Sequence, residues 1–529
     1  MNQTEAAAGL AVWVANAASA SARAALPRGA LTPPRAAADL LPQLAELAAE
    51  LADLDHVVIA GPSLAARTVA DTLGRPLTLL DTADPGPVRR ALADRLDRTV
   101  VVLTGSGDEV EAIHRVYTSA LREAGLSEAE VARRFVTAAP SGGPDLDAAA
   151  GDADAGSGAP SQSRNVTPSA GSASGGPELD PDAGRDPAGD LVATAPAGDL
   201  VATAPAGDLV ATALAGDLVA TALAGVDVVE LLDQAEELRA ALDRETDNPG
   251  LALAAALHEA ATGGRRTVAL VSDGTGLVGL GDWVARLLAD TTGFVPVVLE
   301  SPDAPVAGGA DVLTVTLGGA LPPGAVPGGG VRPDVAVNGP LGAQFAVWEF
   351  AAAALAPTGP ADSPVTKASL TSSELPEGRP DHGEKPSFVE GAVAGYGTSA
   401  GSVTEAIGGL LLATRHDSSL VVSAHLDRHA DAALAAIRQP LAEIAGRPVA
   451  FAWGPSYPAG GTHLQITGAA TTDLAVPGTP YTFGDLEAAR AAADRAALAR
   501  RGRPVTRLHL TDRAAGINQL LDAIHALRN

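Results

Sequence analysis

The sequence predicts an α/β protein: two doubly wound parallel-sheet domains separated by a disordered, repeat-bearing insert. Three observations carry that expectation. Short apolar runs such as His56–Ala60, Thr99–Leu103, Thr267–Val271 and Val295–Leu299 alternate with longer stretches of helical spacing. Runs that are apolar throughout suit strands buried on both faces, and strand–helix alternation builds parallel sheets. Glycine-rich turns follow several runs, at the strand ends where such sheets bind ligands. Between the two halves the composition turns to Ser, Gly, Asp, Ala and Pro with no apolar period.

Taken in order, residues 1–35 have weak periodicity and finish in Pro33-Pro34, which predicts a loose arm. The first domain, 36–139, starts with a helical stretch Leu40–Leu54 and the strand His56–Ala60. The turn Gly61-Pro62-Ser63 leads into a helix Leu64–Leu73, then a strand Pro76–Asp81 and a helix Val88–Leu96. Strand Thr99–Leu103, a turn Thr104–Asp108, a helix through Ala120 and strand Arg134–Ala138 complete it.

The linker, 140–225, begins with the low-complexity run Pro140–Pro187. From Ala188 a nine-residue unit, AGDLVATAP or AGDLVATAL, runs four times and ends against AGVDVVELL. It lacks the G-G-x-G-x-D spacing of calcium-binding β-helices, so replication slippage that duplicated a helix start is the simpler account.

The second domain, 226–395, begins with helices Val226–Leu242 and Pro249–Ala261. Next comes a β–turn–α–β unit, Thr267–Ser301, with Trp283, Leu287 and Leu288 on one helical face. Strands Asp311–Leu317 and Val335–Asn338 and a helix Gly342–Leu355 follow, before an irregular polar stretch Pro357–Pro386. The C-terminal region, 396–529, has strands Ser419–Ser423, Val449–Trp453, His463–Thr467 and Thr506–Leu510, with helices Phe483–Arg500 and from Arg513 onward. It is expected to pack on the second domain.

Composition excludes several functions. Without cysteine there are no disulfides, thiolate nucleophiles or Cys-ligated metals. A net charge of −27 argues against nucleic-acid or anionic-membrane partners, which need clustered basic groups. No run of about 18 apolar residues suggests a membrane span, and Ala6–Ala22 lacks the basic start of a signal peptide, so a cytoplasmic protein is expected. Lysine occurs only at Lys367 and Lys385, so a lysine-dependent step must use one of them.

Gly274, Gly276 and Gly279 fit G-x-G-x-x-G, and Glu300 ends the next strand about 20 residues on, as in dinucleotide-binding units. Asp273 sits directly before the first glycine, where it would face a pyrophosphate. An NAD(P)-binding oxidoreductase is therefore the alternative to the family described next. His425 and His429, four apart, have no placed third ligand, and no metal site is expected. His114 is expected to pack or face solvent.

The strings VALVSDGTGLVGLGDW, PDVAVNGPLGAQF, DLAVPGTPYTFGDLEAA and RGRPVTRLHLTDRAAG resemble glucose-6-phosphate isomerase of the actinobacterial kind, which is similar to the isomerase half of transaldolase–isomerase fusions. The resemblance covers roughly 36–139 and 224–529. It implies two sugar-isomerase (SIS) domains and interconversion of glucose 6-phosphate and fructose 6-phosphate through a cis-enediol. It also implies a phosphate held in a Ser/Thr loop at a helix N-terminus, no cofactor, and pairing of two chains. Carried onto this chain, Asp290 moves the C1/C2 proton and Lys367 assists ring opening, while Ser63, Thr104 and Ser106 hold the phosphate of a hexose phosphate.

The departures fall on those functional segments. Pro62 removes an N–H from the first turn, and Gly105 and Glu109 stand where the family has lysine and threonine in the phosphate loop. Asp290 is a methylene shorter than the family's glutamate, and displacement by about 1 Å costs on the order of a hundredfold in rate. Trp453–Thr462 has lost an arginine, two histidines and a lysine. Impaired or absent turnover is the expectation, with a catalytically silent sugar-phosphate-binding or regulatory SIS protein as a further alternative.

Overall fold

The computed structural model describes residues 2–5, 9–15, 41–105, 107–138, 217–291, 293–299, 311–322, 325, 333–355, 384–414, 419–454, 461–470, 472–503 and 505–528. The chain opens on a hairpin, β1 (Asn2–Glu5) and β2 (Ala11–Val14). After α1 (Leu41–Glu50) come β3 (His56–Ala60), α2 (Leu64–Leu73), β4 (Thr78–Leu80) and α3 (Pro85–Ala93). The first lobe finishes with β5 (Thr99–Thr104), α4 (Asp108–Glu123), α5 (Glu128–Arg133) and β6 (Phe135–Ala138).

A helical stretch at 217–223 leads to α6 (Val228–Leu242) and α7 (Pro249–Thr262). Then follow β7 (Thr267–Ser272), α8 (Leu280–Thr291), β8 (Val295–Leu299), β9 (Val312–Gly318), β10 (Val335–Asn338) and α9 (Leu341–Leu355). The C-terminal part has a hairpin, β11 (Phe388–Glu390) and β12 (Val393–Tyr396), then α10 (Val403–Ala413), β13 (Leu420–His425), α11 (Arg438–Ala445) and β14 (Val449–Trp453). It ends with β15 (Thr462–Gly468), α12 (Phe483–Arg500), β16 (Val505–Leu510) and α13 (Arg513–Arg528).

These strands form three sheets. The first runs β4-β3-β5-β6, the central one β1-β2-β10-β9-β7-β8, and the C-terminal one β11-β12-β16-β15-β13-β14. Numbering the parallel strands of each sheet along the chain gives the same order, 2-1-3-4, in all three. Each sheet thus reverses direction between its first and third strands, and a crevice opens there at the strand ends. In the central and C-terminal sheets an antiparallel hairpin continues the sheet beyond the fourth parallel strand.

That hairpin corrects two expectations. The opening residues are not all loose arm, since β2 pairs antiparallel with β10, Val12 opposite Val337, and Leu10 and Val12 are fully buried. Four residues carry too little local pattern to read as a strand, and their order comes from a partner more than 300 residues away. For the same reason the central and C-terminal sheets are mixed, not purely parallel. The run Pro140–Pro187, most of the repeats and 357–383 lie outside the described residues.

Side-chain alternation explains the assembly. Val57, Ile59, Val100 and Val102 point from one face of the first sheet into a core shared with Leu253, Leu257 and Trp348 of the central part. Val58, Ala60, Val101 and Leu103 point the other way, packing with Ile113 and Tyr117 of α4 and with Phe483 and Leu486 of α12. The first lobe is therefore held on both sides, each buried Val, Leu, Ile or Phe among these contributing about 1.5–3 kcal/mol. The C-terminal sheet also closes a core of its own around Val422, Leu464, Leu508 and Ile524.

Candidate functional site

At the crevice of the first sheet the chain passes very close to itself. Gly61 adopts φ +111°, and a Cβ there would lie 2.2 Å from the Thr104 carbonyl oxygen, so only glycine fits. This approach brings the Ser63 and Thr104 hydroxyls within 3.0 Å of each other, both buried, and Thr104 donates to the Ala60 carbonyl at 3.1 Å. Ser63 is the N-cap residue of α2 yet makes no capping hydrogen bond. The two hydroxyls meet where the end of β5 approaches the start of α2.

The cap is supplied from elsewhere. Asp217, in the last copy of the nonapeptide, is buried at this corner. Burial pushes its carboxyl up to about 7, against the pull of the Ala66 N–H in the first turn of α2 and of the Ser63 hydroxyl. Its Oδ1 is buried without a hydrogen-bond partner among the described residues. A carboxyl group of the chain thus occupies the place at which the helix start would hold an anion.

The loop after β5 adds further negative charge. Gly105 and Gly107 take φ +82° and +139°, and α4 begins with Asp108, Glu109 and Glu111 in its first turn. Glu109 is turned toward Arg490 of α12, with which it forms an ion pair. Asp81, just beyond β4, accepts from Arg428 at 2.8 Å, and burial together with the charge of Glu109 pushes it up to about 6.

Behind this pair lies a second buried group. His425 at the end of β13 sits 3.1 Å from Glu487 and 3.7 Å from Asp494. Burial alone would lower His425, but the Asp494 and Glu487 carboxylates raise it to about 9. Burial would likewise raise Glu487, and the His425 hydrogen bond and charge bring it down to about 2. Glu487 also accepts from the Ala83 N–H at 3.0 Å, fastening the first lobe to the C-terminal part. Sequence reasoning missed Glu487, Arg490 and Asp494, and their spacing along one helix was the only available signal.

The other two crevices are filled in the same manner. In the central sheet Asp273 accepts from the Thr275 N–H at 2.9 Å and from Asn338 at 2.6 Å, and a Cβ on Gly318 would lie 1.9 Å from its carboxylate. Gly274, Gly276 and Gly279 all have positive φ, and the turn they shape packs on α2: Thr68 donates to the Gly279 carbonyl at 3.2 Å and Thr72 accepts from the Val278 N–H at 3.0 Å. The glycine pattern that resembles a dinucleotide fingerprint thus serves a contact between lobes. In the C-terminal sheet, Arg513 donates to the Ala469 carbonyl at 2.8 Å, to Asp431 at 3.0 Å and to Asp84 at 2.7 Å.

Of the five predicted site residues, the structure brings together Ser63 and Thr104. Asp290 belongs to α8, with its side chain outside the description; Ser106, Lys367 and Glu300 lie outside the described residues. His425 ends a strand, so it shares no helix face with His429, and among the described residues no cluster could hold a metal ion. His114 packs edge-on against Phe135 at 4.6 Å.

Chemically, the corner has little to offer an anion. With the Thr104 proton on Ala60, Ser63 donates to Thr104 or to Asp217, and both hydroxyl protons are used within the protein. Above about pH 7, where Asp217 is ionised, its charge repels a phosphate at this corner.

The fold and site define a three-sheet α/β protein whose strand-end crevices are filled by its own charged side chains. No family model and no curated protein matches the chain. Solved structures similar to it include a hypothetical protein from Thermus thermophilus at 14% identity and TM-score 0.35, covering 93% of this chain and 81% of that one. A glucose-6-phosphate isomerase from Chlamydia trachomatis matches at 14% identity and TM-score 0.40, covering 60% and 68%. A Salmonella typhimurium protein described as sugar binding matches at 15% identity and TM-score 0.31, covering 60% and 95%.

Proposed function

We propose that this chain is a divergent member of the glucose-6-phosphate isomerase family, nominally an aldose–ketose isomerase of hexose phosphates, with severely impaired turnover. The four strings around the β7–α8 turn, β10–α9, the start of α12 and β16–α13 support the family. The observation that carries the impairment is Asp217 against Ser63 and the start of α2. A hexose phosphate bound there would have to displace that carboxylate and recruit hydroxyls that already have partners. Any residual turnover would place the phosphate on Ser63, Thr104 and Ser106, use Asp290 for the C1/C2 proton, and use Lys367 in ring opening.

A coupled assay of fructose 6-phosphate conversion by the purified chain, beside Asp290→Asn, tests this. The expected result is no conversion above the Asp290→Asn control. Conversion at ordinary isomerase rates that the substitution abolishes would overturn it.

A further inference from the structure

A cavity of about 290 Å³ opens between the first lobe and the loop after β13, and it shares no residue with the Ser63–Thr104 corner. Its floor is β4, an edge strand, and such a strand presents main-chain N–H and C=O groups on its open side. Three guanidinium groups line it from three elements: Arg67 of α2, Arg90 of α3 and Arg428 of the loop. In a chain of net charge −27, three arginines around one small cavity are a local concentration of cationic donors, each paired with a carboxylate.

Each guanidinium is braced. Arg90 donates to Asp427 at 2.5 and 2.9 Å, and that carboxylate, 2% exposed, also accepts the His429 and Ala430 N–H groups. Arg428 donates to Asp81, and Arg67 to Asp71 at 3.3 Å. A guanidinium carries five N–H donors, and among the described residues these bonds use one or two on each. Planar, pre-oriented guanidinium groups suit the oxygens of a phosphate. Asp71 and Asp94, which also line the cavity, would repel an anion close by but readily accept hydrogen bonds from hydroxyl groups.

We propose that this cleft binds a small phosphorylated polyol, its phosphate on Arg67, Arg90 and Arg428 and its hydroxyl groups on Asp71 and Asp94. Such a ligand bridges the first lobe and the C-terminal part, because Arg428 comes from the latter.

Calorimetric titration of the full chain with inorganic phosphate and with glycerol 3-phosphate tests the assignment. Both should bind, glycerol 3-phosphate more tightly. Arg67→Gln and Arg90→Gln should each weaken both by roughly tenfold or more, while Ser63→Ala leaves binding unchanged. Arg67 pairs with a partly exposed carboxylate, so Arg67→Gln keeps the test open even if Arg90→Gln, which strands buried Asp427, fails to fold. No binding at millimolar probe, or unchanged binding by Arg67→Gln, would overturn the proposal. Loss in Ser63→Ala would do so too, by placing the ligand in the strand-end crevice. The readout is binding alone, so it is independent of the isomerase assay.

Discussion

Replacing Asp217 by asparagine should change how the stability of the protein depends on pH. Burial lifts the Asp217 carboxyl from 3.8 to about 7, so the folded chain holds this proton more tightly than the unfolded chain does. A group raised in this way contributes fully below its unfolded value, and its contribution falls as pH rises to the folded value. The Asp217 contribution to wild-type stability should therefore decline between about pH 4 and pH 7 and then level off. The rise from 3.8 to about 7, at about 1.36 kcal/mol per pH unit, makes the loss on the order of 4 kcal/mol. Asp217→Asn keeps the shape and removes the charge. Its denaturant midpoint should lie near wild type at about pH 4 and clearly above it at about pH 8. Asp81, pushed up to about 6, contributes in the same sense in both proteins and cancels in the comparison. Parallel pH curves for the two proteins would refute the reasoning, because they would mean that Asp217 ionises as freely in the folded chain as in water.

Other consequences are as direct. His425→Gln should cost about 3–5 kcal/mol near neutral pH, since it leaves Glu487 and Asp494 buried without their cation. That loss should shrink in denaturation curves above about pH 9, because His425 is raised to about 9 and its contribution, complete below 6.5, fades as pH climbs through that value. Glu487, held down to about 2, acts oppositely, and its contribution should be lost in acid from 4.5 downward. Gly61→Ala should destabilise by ~2 kcal/mol or more in thermal or chemical melts, because its Cβ meets the Thr104 carbonyl and its φ is left-handed. Gly318→Ala should do the same in the central sheet by colliding with Asp273, with a lowered melting temperature as the readout.

What could be read from the sequence follows physical range. β3, β5, β8 and β10 are legible because a strand covered on both faces must be apolar throughout, and their observed bounds fall within a residue of expectation. The meeting of Ser63 and Thr104 is not legible in local pattern: the sequence joins them only through the resemblance, and the contact depends on the close approach at Gly61. β1 and β2 are not legible either, because antiparallel edge strands of four residues owe their order to β10. Asp217 is hidden for a different reason. Its nonapeptide has the pattern of any helix start, and nothing local points to a corner more than 150 residues earlier. Arg490 and Glu109, 381 positions apart, meet only because α12 packs on the first sheet.

Crystals soaked with fructose 6-phosphate test the central claim most directly. The account predicts that Asp217 stays against Ser63 and the Ala66 N–H, with no ligand density at that corner. Phosphate density bridging Ser63 and the start of α2, with 217–223 displaced, would contradict it.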